Sequence, residues 1–350
     1  MEEYSRELLS NPLDLVTEGQ INFGCFKESI KHLNYLDADR PLGFPVPRFF
    51  KYMRLKEWQA FQLGNKDYFL LIAVYNSKSI GINQLLLYDK KSKTLYKYEQ
   101  QVPFWETKVT KSIDDGISKI DKKNFKIKIV NKLADNSVSI KIDIKNYKKL
   151  PPVKAEFELD MQNKSDSAIV VSIPFGRNNG MYSFKNLAPL TGKITHGESE
   201  ILFDREDAFS IMDDHKGYYP YNMRYDWVTG ADLQNGELTG FNLTDNQSIN
   251  PEKFNENVLW KGNKRFLLPA VKFTRPDGAN NEWIIRDNYN MIELSFFPKV
   301  TNELKFNFLA IKTDYSGPFG YFKGFIKYAP GKKINLDGYF GMGEKKFIRA

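Results

Sequence analysis

Residues 125–145 read FKIKIVNKLADNSVSIKIDIK. Phe125, Ile127 and Ile129 alternate with Lys126 and Lys128, and Val138, Ile140, Ile142 and Ile144 alternate with Ser139, Lys141, Asp143 and Lys145. Ala134-Asp135-Asn136-Ser137 between the two runs is turn chemistry. A period of two with one apolar face is a half-buried β-hairpin. The next run repeats the pattern, with Val153, Ala155, Phe157 and Leu159 against Lys154, Glu156, Glu158 and Asp160. Asn163-Lys164-Ser165-Asp166 then turns the chain into Ala168–Pro174. The stretch is an antiparallel meander, and it sets the fold class.

Working outward, the same signal returns at both ends. Tyr68–Tyr75, Gln84–Tyr88 and Thr94–Tyr98 are strand runs in the first hundred residues. Phe266–Phe273, Trp283–Arg286, Met291–Phe297, Leu304–Ile311, Gly320–Tyr328 and Lys332–Phe340 follow near the other end. Helical periodicity is confined to Ser5–Ser10 and part of Asp204–Met212. So many short strands predict an all-β protein of two antiparallel β-barrels packed together, each of roughly eight to ten strands, with few short helices. The Gly-, Asn- and Thr-rich segment Gly176–Glu200 is the expected junction, dividing the chain into residues 1–195 and 196–350.

Composition narrows the function. The chain has 350 residues, 41% of them hydrophobic, with 27 Phe, 19 Tyr and 5 Trp. Such ring content suits strands and the walls of apolar cavities. The net charge of +8 could favour anionic partners; the competing reading puts the lysines, which alternate along strands, on a solvated face where they also discourage edge pairing. No Arg-rich block, zinc spacing or recognition helix points to nucleic acid. The single cysteine, Cys25, demands no oxidising compartment. The acidic start, MEEYSRELLSNPLDLV, is unlike a secretory signal, and no run approaches the ~18 apolar residues of a spanning helix. The expectation is a cytoplasmic protein without stable membrane insertion, its oligomeric state left open.

The densest polar-aromatic segment is residues 213–227, DDHKGYYPYNMRYDW. Strand alternation places Tyr219, Tyr221, Met223, Tyr225 and Trp227 on one face and Asn222, Arg224 and Asp226 on the other. Asp214 and His215 beside rings can do acid chemistry, because burial holds a proton on a carboxyl near neutrality. Ring faces stabilise a developing cation. That suits protonation of an alkene followed by water addition or cyclisation. The competing reading is an Asp-Arg-Tyr network that pins the strand register. Asn242 and Asn257 could read a polar ligand group, with Glu256 as a general acid or a partner of Arg224; ordinary turn capping is the alternative. Arg54 and Trp58 lie on a charged run that is a cavity wall or an edge strand.

Other chemistries lack their motifs. There is no nucleophile elbow, and the glycines of residues 175–186 fit neither a dinucleotide fingerprint nor a P-loop, so no cofactor is expected. His32, His196 and His215 are not in metal-ligand spacing; carboxylates alone remain able to bind a divalent ion.

Motifs spread along the chain carry a resemblance. They are GQINFG (Gly19–Gly24), RLKEW (Arg54–Trp58), FKNLAPLTG (Phe184–Gly192) and KGYYPYNMRYDW (Lys216–Trp227). GFNL (Gly240–Leu243), NENVLW (Asn255–Trp260), FGYFKG (Phe319–Gly324) and GYFGMGE (Gly338–Glu344) follow. In this order they resemble the domain-of-unknown-function family 2804. That family is distantly similar to the hydroxyneurosporene synthase and AttH group, which has two lipocalin-like β-barrels and includes a hydratase and cyclases that enclose apolar substrates. The resemblance implies a lipocalin-like double barrel. The wider group often shows Asp-His-Gln-Trp-Gly at the start of its second barrel; here Asp214-His215-Lys216-Gly217 lacks the Gln-Trp pair. The expected function is enclosure of a small apolar or amphipathic ligand, with or without cofactor-free hydratase, isomerase or cyclase chemistry. Asp214, His215 and Glu256 are the candidate catalytic groups. Arg54, Trp58, Tyr221, Arg224, Tyr225, Asp226, Trp227, Asn242 and Asn257 are the candidate ligand contacts. A lipid or isoprenoid binder, and a structural or stress protein with filled barrels, are the other readings.

Overall fold

The computed structural model describes residues 4–234, 236–308 and 311–349. Two large antiparallel sheets dominate it. The first runs in the order Thr94–Pro103, Ile80–Asp89, Tyr68–Asn76, Lys56–Gly64, Phe209–Gly217 and Gly180–His196, then Val153–Asp160, Ser137–Ile144, Phe125–Lys132, Gly116–Lys122 and Thr107–Lys108. Phe61, Ile72 and Leu85, from one end of this order, share a hydrophobic core with Ile127, Ile140 and Phe157, from the other. Strands so far apart along a ladder meet only if the sheet curls on itself, so this is a barrel with a packed interior.

The second sheet runs Lys264–Leu267, Val258–Lys261, Glu237–Asp245, Asn222–Gln234 and Phe340–Arg349, then Ile311–Ala329, Ile292–Phe308, Trp283–Asp287 and Val271–Thr274. Its curl encloses a separate core built on Val228, Phe241, Trp283, Phe296 and Phe322. A third cluster lies between the sheets, where Ala60, Leu71, Met181 and Ile211 meet Trp227, Ala231, Phe319 and Met342.

This layering explains two kinds of strand sequence. In Phe125–Lys132 only the isoleucine face is buried, and the lysines face solvent. Tyr68–Asn76, YFLLIAVYN, is apolar on both faces because Leu70, Ile72 and Val74 fill the barrel while Phe69 and Leu71 pack on the second sheet.

The hairpin pairs as its alternation predicts, Phe125 opposite Ile144 and Ile129 opposite Ile140. Other expectations are corrected. Gly176–Glu200 is mostly one 17-residue strand, Gly180–His196, since Phe184, Leu187, Leu190 and Ile194 along it are buried. Near its middle the strand changes partners, pairing Phe209–Gly217 up to Pro189 and Val153–Asp160 from Leu190 onward. Gly192 has φ +147° there, and a Cβ would lie 2.3 Å from the Glu156 carbonyl, so only glycine fits. The change of sheet falls between Gly217 and Asn222, so residues 196–217 stay with the first barrel.

Ser5–Ser10 is not helical, Leu9 instead bridging in parallel to Phe26. Asp204–Ala208 is a turn closed by the Asp204 carbonyl, and a strand follows it. The α-helices among the described residues are Arg48–Arg54 and Lys164–Ser167. The first of these precedes the charged run and takes in its first residue, Arg54, so the strand begins only at Lys56. Among the described residues no helix is long and apolar enough to cross a membrane.

Candidate functional site

Phe209–Gly217 lies between Lys56–Gly64 and Gly180–His196, and register brings their side chains into rows. His215 stands opposite Trp58 on one side and Ser183 on the other, and Asp213 stands between Ala60 and Lys185. Alternation sends this set to the outer face, toward the second barrel, and sends Asp214 and Lys216 to the barrel interior. The second barrel answers with Met223, Tyr225 and Trp227, with Glu344 and Lys346 beside them, and with Glu256 from the loop before Val258–Lys261. These walls line a partly open cavity of about 330 Å³ between the barrels, its apolar side formed by Ala60, Leu71, Ala73 and Ile82.

One wall carries a buried charge cluster. Lys185 Nζ donates to Asp213 Oδ1 at 2.7 Å and lies 3.7 Å from Glu256 Oε2. It also lies over the Trp227 indole, 5.4 Å from the ring centroid. His215 Nε2 is 2.6 Å from Asp213 Oδ1 and 3.1 Å from Ser183 Oγ. Ser183 gives its own proton to Glu256 Oε2 at 2.7 Å. Nε2 therefore faces two acceptors and must carry hydrogen, which assigns the ring's orientation from the network. His215 Nδ1 is buried with no hydrogen-bond partner among the described residues. Trp58 stacks on the imidazole at 4.5 Å with planes 9° apart, and Tyr219 stacks on Trp58 at 5.5 Å.

Burial alone would raise the Asp213 pKa, but the charges of His215 and Lys185 and their hydrogen bonds outweigh it, and the carboxyl is held well below its ordinary range. Burial opposes the charge on Lys185 as well; Asp213 and Glu256 reverse that and lift the ammonium above its usual value. Asp213 is thus a fixed anion that orients His215.

The facing wall carries a second network. Tyr225 and Tyr315 donate to the two oxygens of Glu344 at 2.7 and 2.8 Å. Lys346 donates to the Tyr225 oxygen at 3.0 Å and lies over the rings of Trp58, Tyr225 and Tyr315 at 5.1–5.9 Å. The buried lysines have carboxylates at hand: Lys78 and Lys216 approach Glu57, and Lys185 pairs with Asp213. No carboxylate among the described residues lies within 4.0 Å of Lys346 Nζ. Burial lowers its pKa, partly offset by Glu344 and Asp213.

Five residues singled out from sequence converge on the cavity: His215, Glu256, Trp58, Tyr225 and Trp227. Arg224 stands exposed at its rim. Asn242 lies beneath, accepting from Trp227 Nε1 at 2.6 Å and donating to the Glu256 carbonyl at 2.9 Å. Asn257 accepts from the Thr244 N–H and donates to the Pro269 carbonyl, which fixes the loop that carries Glu256. Both asparagines hold contacts in place.

The rest fall elsewhere. Asp214 faces the first barrel's interior, fully buried, neither oxygen having a hydrogen-bond partner among the described residues. Asp226 pairs with Arg275 at 2.7 Å rather than with Arg224. Glu256 is likewise engaged by Ser183 and Lys185 instead of Arg224. Tyr221 is exposed on the link between the barrels, and Arg54 ends its helix outside the lining. The residues missed are Asp213, Ser183, Lys185, Tyr315, Glu344 and Lys346. The signal for the first was present, since alternation through Asp213-Asp214-His215 puts the first and third together. Among the described residues no group of three or more His, Cys, Asp or Glu is arranged to hold a metal ion.

Comparison with known proteins bears on the fold. The pattern of a family described as "Domain of unknown function (DUF2804)" matches residues 6–349. No curated protein sequence matches the chain. Similar solved structures include CghA with Sch210972, at TM-score 0.55 and 11% identity, covering 84% of this chain and 88% of that one. Kievitone hydratase from Nectria haematococca gives TM-score 0.46 at 12% identity, covering 84% and 89%. The AttH-type protein NE1406 from Nitrosomonas europaea gives 0.49 at 12%, covering 84% and 92%. The likeness to CghA spans both sheets and shows a shared fold.

Proposed function

The chain belongs to the DUF2804 family, and on that premise we propose that it encloses a small amphipathic molecule between its barrels and moves a proton on it without a cofactor. The observation that carries this reading is the pairing of an apolar-walled cavity of about 330 Å³ with a buried imidazole whose Nε2 is fixed and whose Nδ1 is unpartnered. The volume is at the small end of ligand sites.

In this reading Asp213 holds the ring and stabilises the imidazolium, and Nδ1 is the nitrogen that exchanges a proton with the ligand. For a hydration, the Nδ1 proton goes to one alkene carbon. The aromatic wall, with Tyr225 and Trp227 beside Trp58 and Tyr219, stabilises the cation that forms. Water bonds to the neighbouring carbon, and the proton it loses restores Nδ1. Isomerisation and cyclisation use the same first step and end when the cation loses a proton to Nδ1. Lys346, lacking a direct anionic partner, holds the ligand's oxygen-bearing end, and the wall of Ala60, Leu71 and Ala73 takes the apolar remainder. The packed barrel cores do not argue for a purely structural role, because the cavity lies outside both.

The test is native mass spectrometry of protein purified from its own cells, extraction of any bound molecule, and its return to the protein in deuterated water. Proton transfer predicts deuterium entering the ligand, with the rate in His215→Ala reduced by about 10²- to 10⁴-fold while the ligand stays bound. Exchange that is unchanged in that variant would sink the acid–base role, and binding without exchange would leave a carrier. For Lys346→Met, the expected result is at least about tenfold weaker binding of a carboxylate-bearing ligand, with little change for its uncharged analogue.

A further inference from the structure

The exposed apolar side chains are clustered. Of ten large hydrophobic residues exposed among those described, five fall in two segments: Phe44 at 59%, Phe49 at 65%, Phe50 at 55%, Tyr52 at 37% and Trp105 at 72%. The rings make two contact groups, one on the helix and one joining the helix to the turn. Phe49 meets Phe50 edge-on at 5.6 Å, Tyr52 meets Phe104 at 6.5 Å, and Phe104 meets Trp105 at 5.1 Å. Thus the helix Arg48–Arg54 and the turn Phe104–Glu106 share a face. Exposed rings at this density mark an interaction site.

Positive charge is in excess around the rings. Residues 40–56, RPLGFPVPRFFKYMRLK, hold five cations and no acid. Nearby, Asp37 pairs with Arg48 at 2.9 Å, and Glu106 is taken by Lys122. Lys51 makes a 3.5 Å contact to the Leu36 carbonyl and no ion pair among the described residues. Lys56 is pushed down to about 8 by burial, with the positive charges of Arg54 and Lys346 adding to it.

We propose that this face docks the protein on an anionic lipid bilayer. Phe, Tyr and Trp rings favour the level of the headgroups, and interleaved Arg and Lys meet anionic lipid. A protein partner is the other occupant such a face can take, and binding that needs no lipid would point to it. The chain also connects the patch to the cavity wall. The strand that leaves the helix places Trp58, four residues after Arg54, in the cavity wall. Asn76, which donates to the Phe104 carbonyl at 2.8 Å, follows the cavity-lining Tyr75. Docking stands without any ligand. Its use, collecting an amphipathic molecule from the bilayer for the cavity, rests on the function proposed above.

The experiment is cosedimentation of the full chain with phosphatidylcholine vesicles, with and without phosphatidylserine. Binding should require phosphatidylserine and fade at high salt. Phe49→Ser/Phe50→Ser/Trp105→Ser should lose at least about tenfold in affinity at an unchanged melting temperature. Arg48→Gln/Lys51→Gln, which leaves every ring in place, should also weaken binding. Wild-type protein that ignores both vesicle types overturns the proposal, as does binding that neither variant changes. A wild-type dimer made monomeric by the ring substitutions would assign the face to a second copy instead. A ring variant that keeps its ligand from detergent solution but no longer sediments separates docking from enclosure.

Discussion

Replacing Lys185 with Met lowers the unfolding free energy at neutral pH by about 3–5 kcal/mol, the usual cost of removing one member of a buried ion cluster. The reason lies in what is left behind. Lys185 Nζ is the cation between Asp213 and Glu256, at 2.7 and 3.7 Å, and all three side chains are buried. Without it, His215 alone must compensate two carboxylates. The loss should appear in urea or thermal unfolding. It should shrink when Asp213→Asn is added, because a neutral pair has no charge to strand.

The sign of its pH dependence follows from the depressed Asp213 pKa. A carboxyl whose folded pKa lies below its unfolded value contributes stability above about pH 4 and loses it as pH falls. The gap between Lys185→Met and wild type should therefore narrow in acid. A single variant within about 1 kcal/mol of wild type at pH 7 would show that the cluster is not the buried network described here.

Asp214→Asn should do the reverse and stabilise the protein. Burial, against the opposing charges of Lys216 and His215, raises the Asp214 pKa to about 6. An acid raised in the folded state favours folding below its unfolded pKa, near 4, and that contribution is lost as pH climbs through about 6. Above pH 6 the native state carries a charged carboxylate with no hydrogen-bond partner among the described residues. A shift of roughly two pH units corresponds to about 3 kcal/mol, so the amide should gain on the order of 2–3 kcal/mol at pH 7.5 and nothing at pH 4. Thermal unfolding of both proteins across that range is the measurement. An Asn variant less stable than wild type at pH 7.5 would mean that the anion is engaged, with Lys216 as the group to examine next.

These two neighbours show how far the sequence could be read. The hairpin of residues 125–145 was legible because one face meets water, and the alternation of Ile with Lys records that contrast. Strands buried on both faces carry no such contrast: YFLLIAVYN announces burial but not which residue meets which core. Asp214 and His215 attracted attention as adjacent acid and imidazole, yet one position along a strand means opposite sides of a sheet. The functional neighbour of His215 is Asp213, and behind it Lys185, 28 residues earlier and joined only by cross-strand register. Trp58, Glu256 and Trp227 stood out as unusual residues in polar surroundings. Lys346, in the run Glu344-Lys345-Lys346, looked like any surface lysine, because the rings that surround it come from strands 31 and more than a hundred residues away. Arg48–Arg54 escaped notice because seven residues of Arg, Phe, Lys, Tyr and Met show neither period clearly.

The division of the apolar residues into three clusters has a further consequence, for how such a protein changes over generations. Each barrel keeps a core of its own, and the cavity draws on neither, being walled by outward-facing side chains at the contact between them. Substitutions at Ala60, Leu71, Ala73 or Met223 reshape the enclosed space while both barrel interiors remain packed. A chain built this way can drift in ligand preference at low risk of misfolding. Its lineage is therefore expected to hold its two-barrel frame steady while the residues lining the contact diversify.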